Sequence, residues 1–272
     1  MSKPSTFQYH RFLDEAGDST FFGKGKIPII GEEGVSNVFI LGMVAYKTPL
    51  EAIRADIQKL QSDIEHSAYY RKVPSVQKRI DKGGYFFHAK DDLPEIRKEF
   101  FNYIYSLDCS FQAVVGRKNV GLFERKHNGN EAEFYADLLS HLLKDKFSKY
   151  PRLVINVAER ANSTAIHNLE KGLKKAEERY CKKYPNKNNT AKIAFGVHKF
   201  KDEPLLSVSD YLCWVIQRVF ERGETRFYDY MSDKISLVLD VYDWQNFGEK
   251  HENYYTKTKP LTEKNKVSPL TP

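Results

Sequence analysis

Cysteine is scarce in this sequence, and long apolar runs are missing from it. The 272 residues include three widely separated cysteines, Cys109, Cys181 and Cys213, with no CxxC pair among them. That pattern disfavours a disulfide framework and a thiolate zinc site. No apolar run approaches the ~20 residues of a membrane-spanning helix, and the opening MSKPSTFQYHRF lacks the apolar segment of a signal peptide. We therefore expect a cytoplasmic protein.

The signatures of two large hydrolase classes are also absent. The chain contains neither a GxSxG motif, which presents a nucleophilic serine, nor a P-loop, whose backbone amides hold nucleotide phosphates. Any hydrolysis by this protein would therefore depend on other residue types.

Composition and charge favour a globular protein with an anionic partner. Hydrophobic residues make up 41% and aromatic residues 14% of the chain, which is typical of a folded protein, and the net charge is +7. Much of the positive charge falls in residues 171–201. That run is either a solvated face or a surface that contacts phosphates. We expect DNA or RNA to bind through its first six basic residues, Lys171, Lys174, Lys175, Arg179, Lys182 and Lys183.

Strand and helix patterns alternate along most of the chain. Short apolar runs predict strands over residues 7–14, 38–45, 84–89, 110–116, 152–158, 192–200 and 235–239. Apolar residues at 3.6-residue spacing predict helices over 49–64, 94–107, 131–147, 166–180 and 205–221. This alternation predicts an α/β domain over residues 1–228. Residues 229–272 are expected to form a C-terminal extension with one extra strand and a mobile basic tail.

An acidic stretch follows the first predicted strand. The sequence FLDEAGDS places Asp14, Glu15 and Asp18 around Gly17. A strand that ends in carboxylates and breaks at a glycine presents oxygen ligands at a sheet edge, which suits a divalent cation. The same residues are equally typical of a solvated hairpin turn.

Two further acids lie where they can meet Asp14. Glu159 follows the strand over 152–158, and ligands of open α/β sheets collect at the carboxyl ends of strands. Asp210 opens the helix over 205–221, where it shares one strip with Trp214 and Gln217. Two or three such carboxylates can hold Mg²⁺ or Mn²⁺ and support phosphodiester hydrolysis without a nucleophilic side chain.

Each of these residues also has an ordinary structural interpretation. Asp210 fits a helix start capped by Ser207, in which an acid stabilises the first turn. Glu159 can pair with its neighbour Arg160. His88, in the aromatic run GYFFHA, can be a hydrogen-bonded histidine of the core.

Three motifs resemble one family when they are taken in order. The stretch FLDEAGDS resembles the first-strand motif of the bacterial and archaeal domain-of-unknown-function family 3800, which is grouped with the ribonuclease H-like superfamily. FFHAKDD resembles the third-strand motif of that family, and LLSVSDYLCWVIQRVFE is similar to its C-terminal helix. The motifs span residues 9 to about 222. The resemblance implies a ribonuclease H-like mixed sheet flanked by helices, with an acidic metal site.

The family's site residues can be carried over by position. Asp14 corresponds to the central first-strand acid, Asp210 to the acid of the last helix, and His88 to the polar residue of the third strand. The fourth-strand acid has Glu159 as its nearest candidate, and if Asn156 takes that place the site has lost a charge. Ser207 stands where the family commonly has glutamine.

Our leading hypothesis is a Mg²⁺- or Mn²⁺-dependent nuclease. Asp14, Glu159 and Asp210 would bind the metal, Glu15 and Asp18 would assist through water, and His88 would orient a phosphate or shuttle a proton. One alternative is a catalytically inactive module of the same fold that binds nucleic acid or protein. Another is a phosphohydrolase that acts on small molecules.

Overall fold

The protein is built on seven strands that belong to one mixed sheet. The computed structural model describes residues 8–160, 166–186, 191–243 and 253–267. Its strands are β1 (Tyr9–Gly17), β2 (Val38–Tyr46), β3 (Cys109–Arg117), β4 (Arg152–Ala158), β5 (Lys192–His198), β6 (Ile235–Asp240) and β7 (Tyr254–Tyr255). Their order across the sheet is β5-β4-β1-β2-β3-β6-β7.

Both strand directions occur in this sheet. β2 runs antiparallel to its neighbours β1 and β3, whereas β4 lies parallel to β1 and β5 lies parallel to β4. On the other side, β6 runs parallel to β3 and β7 pairs antiparallel with β6. The predicted α/β class with a mixed sheet flanked by helices is therefore confirmed.

Helices cover both faces of the sheet. They are α1 (Leu50–His66), α2 (Pro74–Ile80), α3 (Pro94–Ser106), α4 (Val120–His127), α5 (Glu131–Leu143), α6 (Ile166–Lys183), α7 (Leu206–Arg222) and α8 (Arg226–Met231). Within the described residues, no helix is long and apolar enough to cross a membrane. The core under α1, α3 and α7 contains Phe12 of β1, whereas the core under α4, α5 and α6 contains Leu13. Because side chains alternate along a strand, Asp14 faces α7 and Glu15 faces α5.

Most predicted elements lie where the pattern placed them. The structure also contains three short helices, α2, α4 and α8, in stretches for which no helix is predicted. At six to eight residues, all three are too short to show a convincing helical repeat.

The strand predicted over residues 84–89 is wrong. Tyr85, Phe87 and Ala89 alternate in burial with the residues between them, as in a strand, but they form no ladder. The backbone is held by side chains instead: His88 N–H donates to Asp92 (2.9 Å) and the Phe87 carbonyl accepts from Ser207 (3.1 Å). The segment lies between α3 and α7, where the Phe87 ring contacts Phe100 and Tyr211.

The C-terminal residues that the structure describes pack with the sheet and its core. β6 joins the sheet directly, and Tyr255 and Leu261 are buried in the core under α7. The Val267 amide donates to the Phe220 carbonyl (2.8 Å). Residues 253–267 are thus packed rather than free, whereas 244–252 and 268–272 of the expected mobile tail lie outside the described residues.

Gly42 of β2 lets α7 approach the sheet. It pairs with Asp14 of β1, and a Cβ atom at this position would overlap the Cys213 sulfur and the Phe111 ring. The Cys213 thiol in turn contacts the Asp14 carbonyl (3.4 Å). The missing side chain at Gly42 therefore sets how closely α7 sits over Asp14.

The close approach at Gly42 predicts a destabilising substitution. Gly42→Ala should lower the free energy of unfolding by about 1–3 kcal/mol, because the added methyl group overpacks the core. Denaturant unfolding measures this loss. Gly121→Ala is the matched control, since its Cβ would make only ordinary contact at 3.6 Å. Equal stability of the two variants would contradict the packing argument.

Candidate functional site

One cleft of about 780 Å³ brings together the five acids and the histidine that the sequence predicts as metal-binding or catalytic residues. It opens at the end of β1, beside α7 and the loop that carries His88. Its lining includes Asp14, Glu15, Asp18, His88, Glu159 and Asp210. Trp214 and Gln217 line the same cleft, in agreement with the helical strip predicted for them.

Asp14 and Asp210 form the floor of the cleft. Their residues are only 6% and 7% exposed. The backbone amide of Ala89 donates to Asp210 Oδ2 (2.6 Å), and His88 Nε2 lies 3.7 Å from Asp210 Oδ1. Ser209 ties the start of α7 to β1 through a hydrogen bond from its hydroxyl to the Phe12 carbonyl (2.7 Å). These contacts hold the Asp210 carboxylate in a recessed position and fix the start of α7 against β1.

The two floor carboxylates repel each other. Burial raises the pKa of Asp14 well above its usual range, and the negative charge of Asp210 raises it further. Burial also raises the pKa of Asp210 to about 6, although the nearby His88 opposes the shift. A buried acidic pair of this kind is typical of functional sites, where a cation or a proton can relieve the repulsion.

The structure does not support the capping interpretation of Asp210. α7 begins at Leu206, so Asp210 lies in its second turn rather than its first. The hydroxyl of Ser207 donates to the Phe87 carbonyl and does not cap the helix. The acid is therefore positioned by tertiary contacts.

Glu15 lies on the opposite side of β1 from the floor pair. Arg160 contacts it, with Nη1 at 3.2 Å from Glu15 Oε2, and also donates to the Gly17 carbonyl (2.6 Å). Burial and the charge of Glu15 raise the pKa of Tyr135 on α5. Arg160 thus pairs with Glu15, rather than with Glu159 as in the structural interpretation of that residue.

Asp18 is engaged in holding the connection between β1 and β2. It accepts hydrogen bonds from Lys118 Nζ (2.7 Å), the Ser36 amide (2.7 Å) and the Thr20 amide (2.9 Å). Burial works to raise its pKa, but the bonds from Lys118 and Ser36 outweigh that effect and lower the pKa. These contacts give Asp18 a structural role, and its role as a metal ligand stays a prediction.

Glu159 lies at the rim of the cleft. Its side chain is 50% exposed, and Oε2 is 4.0 Å from Lys199 Nζ. Asn156, the other candidate on β4, pairs with Phe12 and bonds His198 (3.2 Å) and the Arg11 carbonyl (3.2 Å) within the sheet. Glu159 is thus the β4 candidate that reaches the cleft.

The two carboxylates at the floor are ligands that suit a divalent cation. Asp14 and Asp210 supply the hard oxygen ligands that Mg²⁺ and Mn²⁺ bind, and their mutual repulsion favours a cation between them. Among the described residues, no three acidic, histidine or cysteine side chains form a cluster that could hold a metal. A cation here would keep several water ligands, as Mg²⁺ usually does.

Basic and aromatic side chains, most of which the sequence analysis did not single out, form the walls of the cleft. They are Lys90, Arg97, Arg160, Phe200, Trp214, Arg218, Arg222, Arg226 and Phe227. They come from the His88 loop, α3, the ends of β4 and β5, and α7 and α8. The one local signal is on α7, where Arg218 follows Asp210 by about two turns and Arg222 follows Arg218 by four residues.

The basic run of α6 makes ion pairs with α5. Lys171 and Lys175 contact Glu133, and Arg179 lies 2.5 Å from Asp137. Lys183 is 3.3 Å from Asp145 near the end of α5. These contacts partly neutralise the predicted phosphate surface, and binding of nucleic acid through the six basic residues stays a prediction.

Comparisons with known proteins add no relative: no family model matches the chain, and no curated protein matches it. The fold and the cleft define an α/β protein that joins a buried carboxylate pair to cationic walls. The resemblance to family 3800 rests on the three motifs and stays a prediction.

The raised pKa of Asp210 predicts a pH-dependent cost of folding. Its pKa of about 6 lies above the ordinary 3.8, so the folded protein binds the proton more tightly than the unfolded chain. Stability should therefore fall as the pH rises from about 4 to 6. In chelator, Asp210→Asn should be more stable than the native protein at pH 7 by up to about 3 kcal/mol.

Thermal unfolding between pH 4 and pH 8 measures this difference. The advantage of Asp210→Asn should shrink toward pH 4, because the native carboxyl group is then protonated. Asp63→Asn, at an exposed position of α1, is the control and should track the native protein throughout. A constant difference across the range would contradict the assignment.

Proposed function

We propose that the protein is a divalent-metal-dependent nuclease that hydrolyses phosphodiester bonds of DNA or RNA in this cleft. The observation that carries the proposal is the buried Asp14–Asp210 pair beneath walls rich in arginine. Phosphoryl chemistry needs a cation site beside guanidinium groups. The cation polarises the phosphate, and the guanidinium groups stabilise its negative charge. The motifs that resemble the ribonuclease H-like family support the same function.

Each floor residue has a role in this proposal. Asp14 and Asp210 would hold Mg²⁺ or Mn²⁺, and Glu159 at the rim would reach it through water. The metal, when bound, would supply an activated water and stabilise charge on the phosphate. His88 would hold or move a proton, since Nε2 faces Asp210 (3.7 Å) and Nδ1 faces Asp91 (3.3 Å).

The walls of the cleft favour a polyanionic substrate. Lys90 and Arg222 are exposed and make no ion pair with any residue that the structure describes. Cations of this kind attract nucleic-acid phosphates, so the affinity of the cleft should fall steeply with salt. A cytoplasmic location, where nucleic acid is present and thiols stay reduced, fits the two buried free cysteines, Cys109 and Cys213.

A second candidate is a binding module without catalysis. The observation that favours it is the missing third ligand, since no third acid joins Asp14 and Asp210 in a cluster among the described residues. Such a module would bind nucleic acid or protein with the acids in a structural role, and its affinity would be the same in chelator as in Mg²⁺ or Mn²⁺.

The nuclease proposal predicts loss of cleavage when the floor pair is disrupted. Labelled DNA and RNA incubated with Mg²⁺ or Mn²⁺ should be cleaved by the native protein. Asp14→Asn should reduce the rate at least about 100-fold, because the cation loses a charged ligand. The control Asp63→Asn should cleave normally. If no substrate is cleaved, or if Asp14→Asn cleaves as fast as the native protein, the proposal is wrong.

A second measurement tests the metal site without catalysis. Mn²⁺ should raise the melting temperature of the native protein, because a ligand that binds the folded state stabilises it by mass action. Asp14→Asn and Asp210→Asn should show little or no rise. An equal rise in all three proteins would place the metal elsewhere.

A further inference from the structure

The cleft contains a guanidinium group that no carboxylate neutralises. Arg97 of α3 donates from Nε to the Ala89 carbonyl (2.8 Å) and from Nη2 to the Asp92 carbonyl (2.7 Å). Among the described residues it forms no ion pair, and Nη1 makes no hydrogen bond. The positive charge of Arg97 is therefore available to an anion in the cleft.

Arg97 is held rigidly and close to the floor. Its guanidinium lies over the Trp214 ring, 4.7 Å from the centroid. Ala89, whose carbonyl accepts from Arg97, also donates its amide to Asp210. One residue thus connects the guanidinium to the floor carboxylate, so an anion on Arg97 lies beside Asp210. A preorganised fork of this kind matches the geometry of a phosphate.

An aromatic ring lies in the same cleft on the side of His88. Phe200, just after β5, is partly exposed and lines the cleft. Its ring stacks on Phe86, with centroids 5.9 Å apart and an interplanar angle of 13°, and meets His88 edge-on at 6.2 Å. Phe86 packs against the Phe200 ring and does not itself line the cleft. Phe200 is therefore positioned so that a flat ligand in the cleft can stack on it.

We infer that the cleft takes a single, unpaired strand of nucleic acid, with a backbone phosphate on Arg97 and a base stacked on Phe200. The inference rests on the proposed function, since it names the form of the nucleic acid that the cleft binds. A cationic groove combined with an aromatic platform is the way single strands are bound without sequence preference.

The geometry disfavours an intact duplex. Paired bases inside a duplex are stacked on both faces, so only the terminal pairs offer a free face to Phe200. The floor carboxylates are also recessed, at 6% and 7% exposure, so a phosphate has to enter the cleft to reach them. A flexible single strand can bend into a cleft of about 780 Å³, whereas a duplex contacts only its rim.

Binding measured without cleavage tests this inference separately from the nuclease proposal. The probes are fluorescein-labelled ten-nucleotide dT and U strands, a blunt DNA duplex of equal length and thymidine monophosphate, all in EDTA with the native protein. The single strands should bind at least tenfold more tightly than the duplex or the mononucleotide. Binding without any cleavage in Mg²⁺ would refute the nuclease alone.

Variants identify the two subsites. Phe200→Ala should weaken single-strand binding about tenfold, which is the scale of one stacked base. Phe200→Leu, which keeps apolar volume for folding, should lose nearly as much. Arg97→Lys keeps the charge but not the fork and should also weaken binding, whereas the exposed Arg125→Ala on α4 is the charge control.

Three outcomes would overturn the inference. One is duplex binding as tight as single-strand binding, and another is undetectable binding of every probe. The third is native affinity for the single strands in both the Phe200→Leu variant and the Arg97→Lys variant, once circular dichroism has shown that each is folded.

Discussion

Two carboxylates that repel each other are buried between β1 and α7, and much of the surrounding structure serves to hold them there. Asp14 and Asp210 are 196 positions apart in the sequence, so only tertiary packing brings them together. The approach of α7 depends on Gly42, where any side chain would overlap Cys213. Burying the acidic pair costs stability, and the packing of the core under α7 offsets that cost. Such a trade-off is expected where function and stability compete.

The positive charge of the cleft walls lies close to the negative charge of the floor but, among the described residues, is not paired with it. Arg160 is committed to Glu15, and Arg218 to Glu224, so these pairs shape the rim. Arg97 is anchored by carbonyl groups and an indole ring, which fix its position and leave its charge in place. Negative charge lies at the floor of the cleft and positive charge along its walls, so a ligand that combines a cation with an anion would match both. A phosphate bound together with a metal ion meets that description.

Local periodicity was enough to predict most of the fold. The apolar repeats of β2 and α7 are strong, because these elements are buried on much of their surface, and the strip of Asp210, Trp214 and Gln217 followed from helical spacing alone. The strand prediction for the His88 segment is wrong because its alternation of buried and exposed residues reflects packing between helices. Periodicity does not indicate which groups a backbone will bond. Arg97 is not predicted from the sequence for a related reason: its position depends on the Ala89 carbonyl of a loop and on the Trp214 ring of α7, and periodicity indicates neither contact.

The layered charge has a consequence for how ligands would bind in the proposed nuclease. An anionic strand that approaches Asp14 and Asp210 alone meets two negative charges in a poorly hydrated site, where repulsion is strong. A cation at the floor removes that repulsion, and a phosphate above it adds a further ligand to the cation. Each ligand therefore raises the affinity for the other by the same factor, since coupling between two binding equilibria is reciprocal. Arg97, fixed beside Asp210 through Ala89, would provide the part of strand affinity that persists without metal.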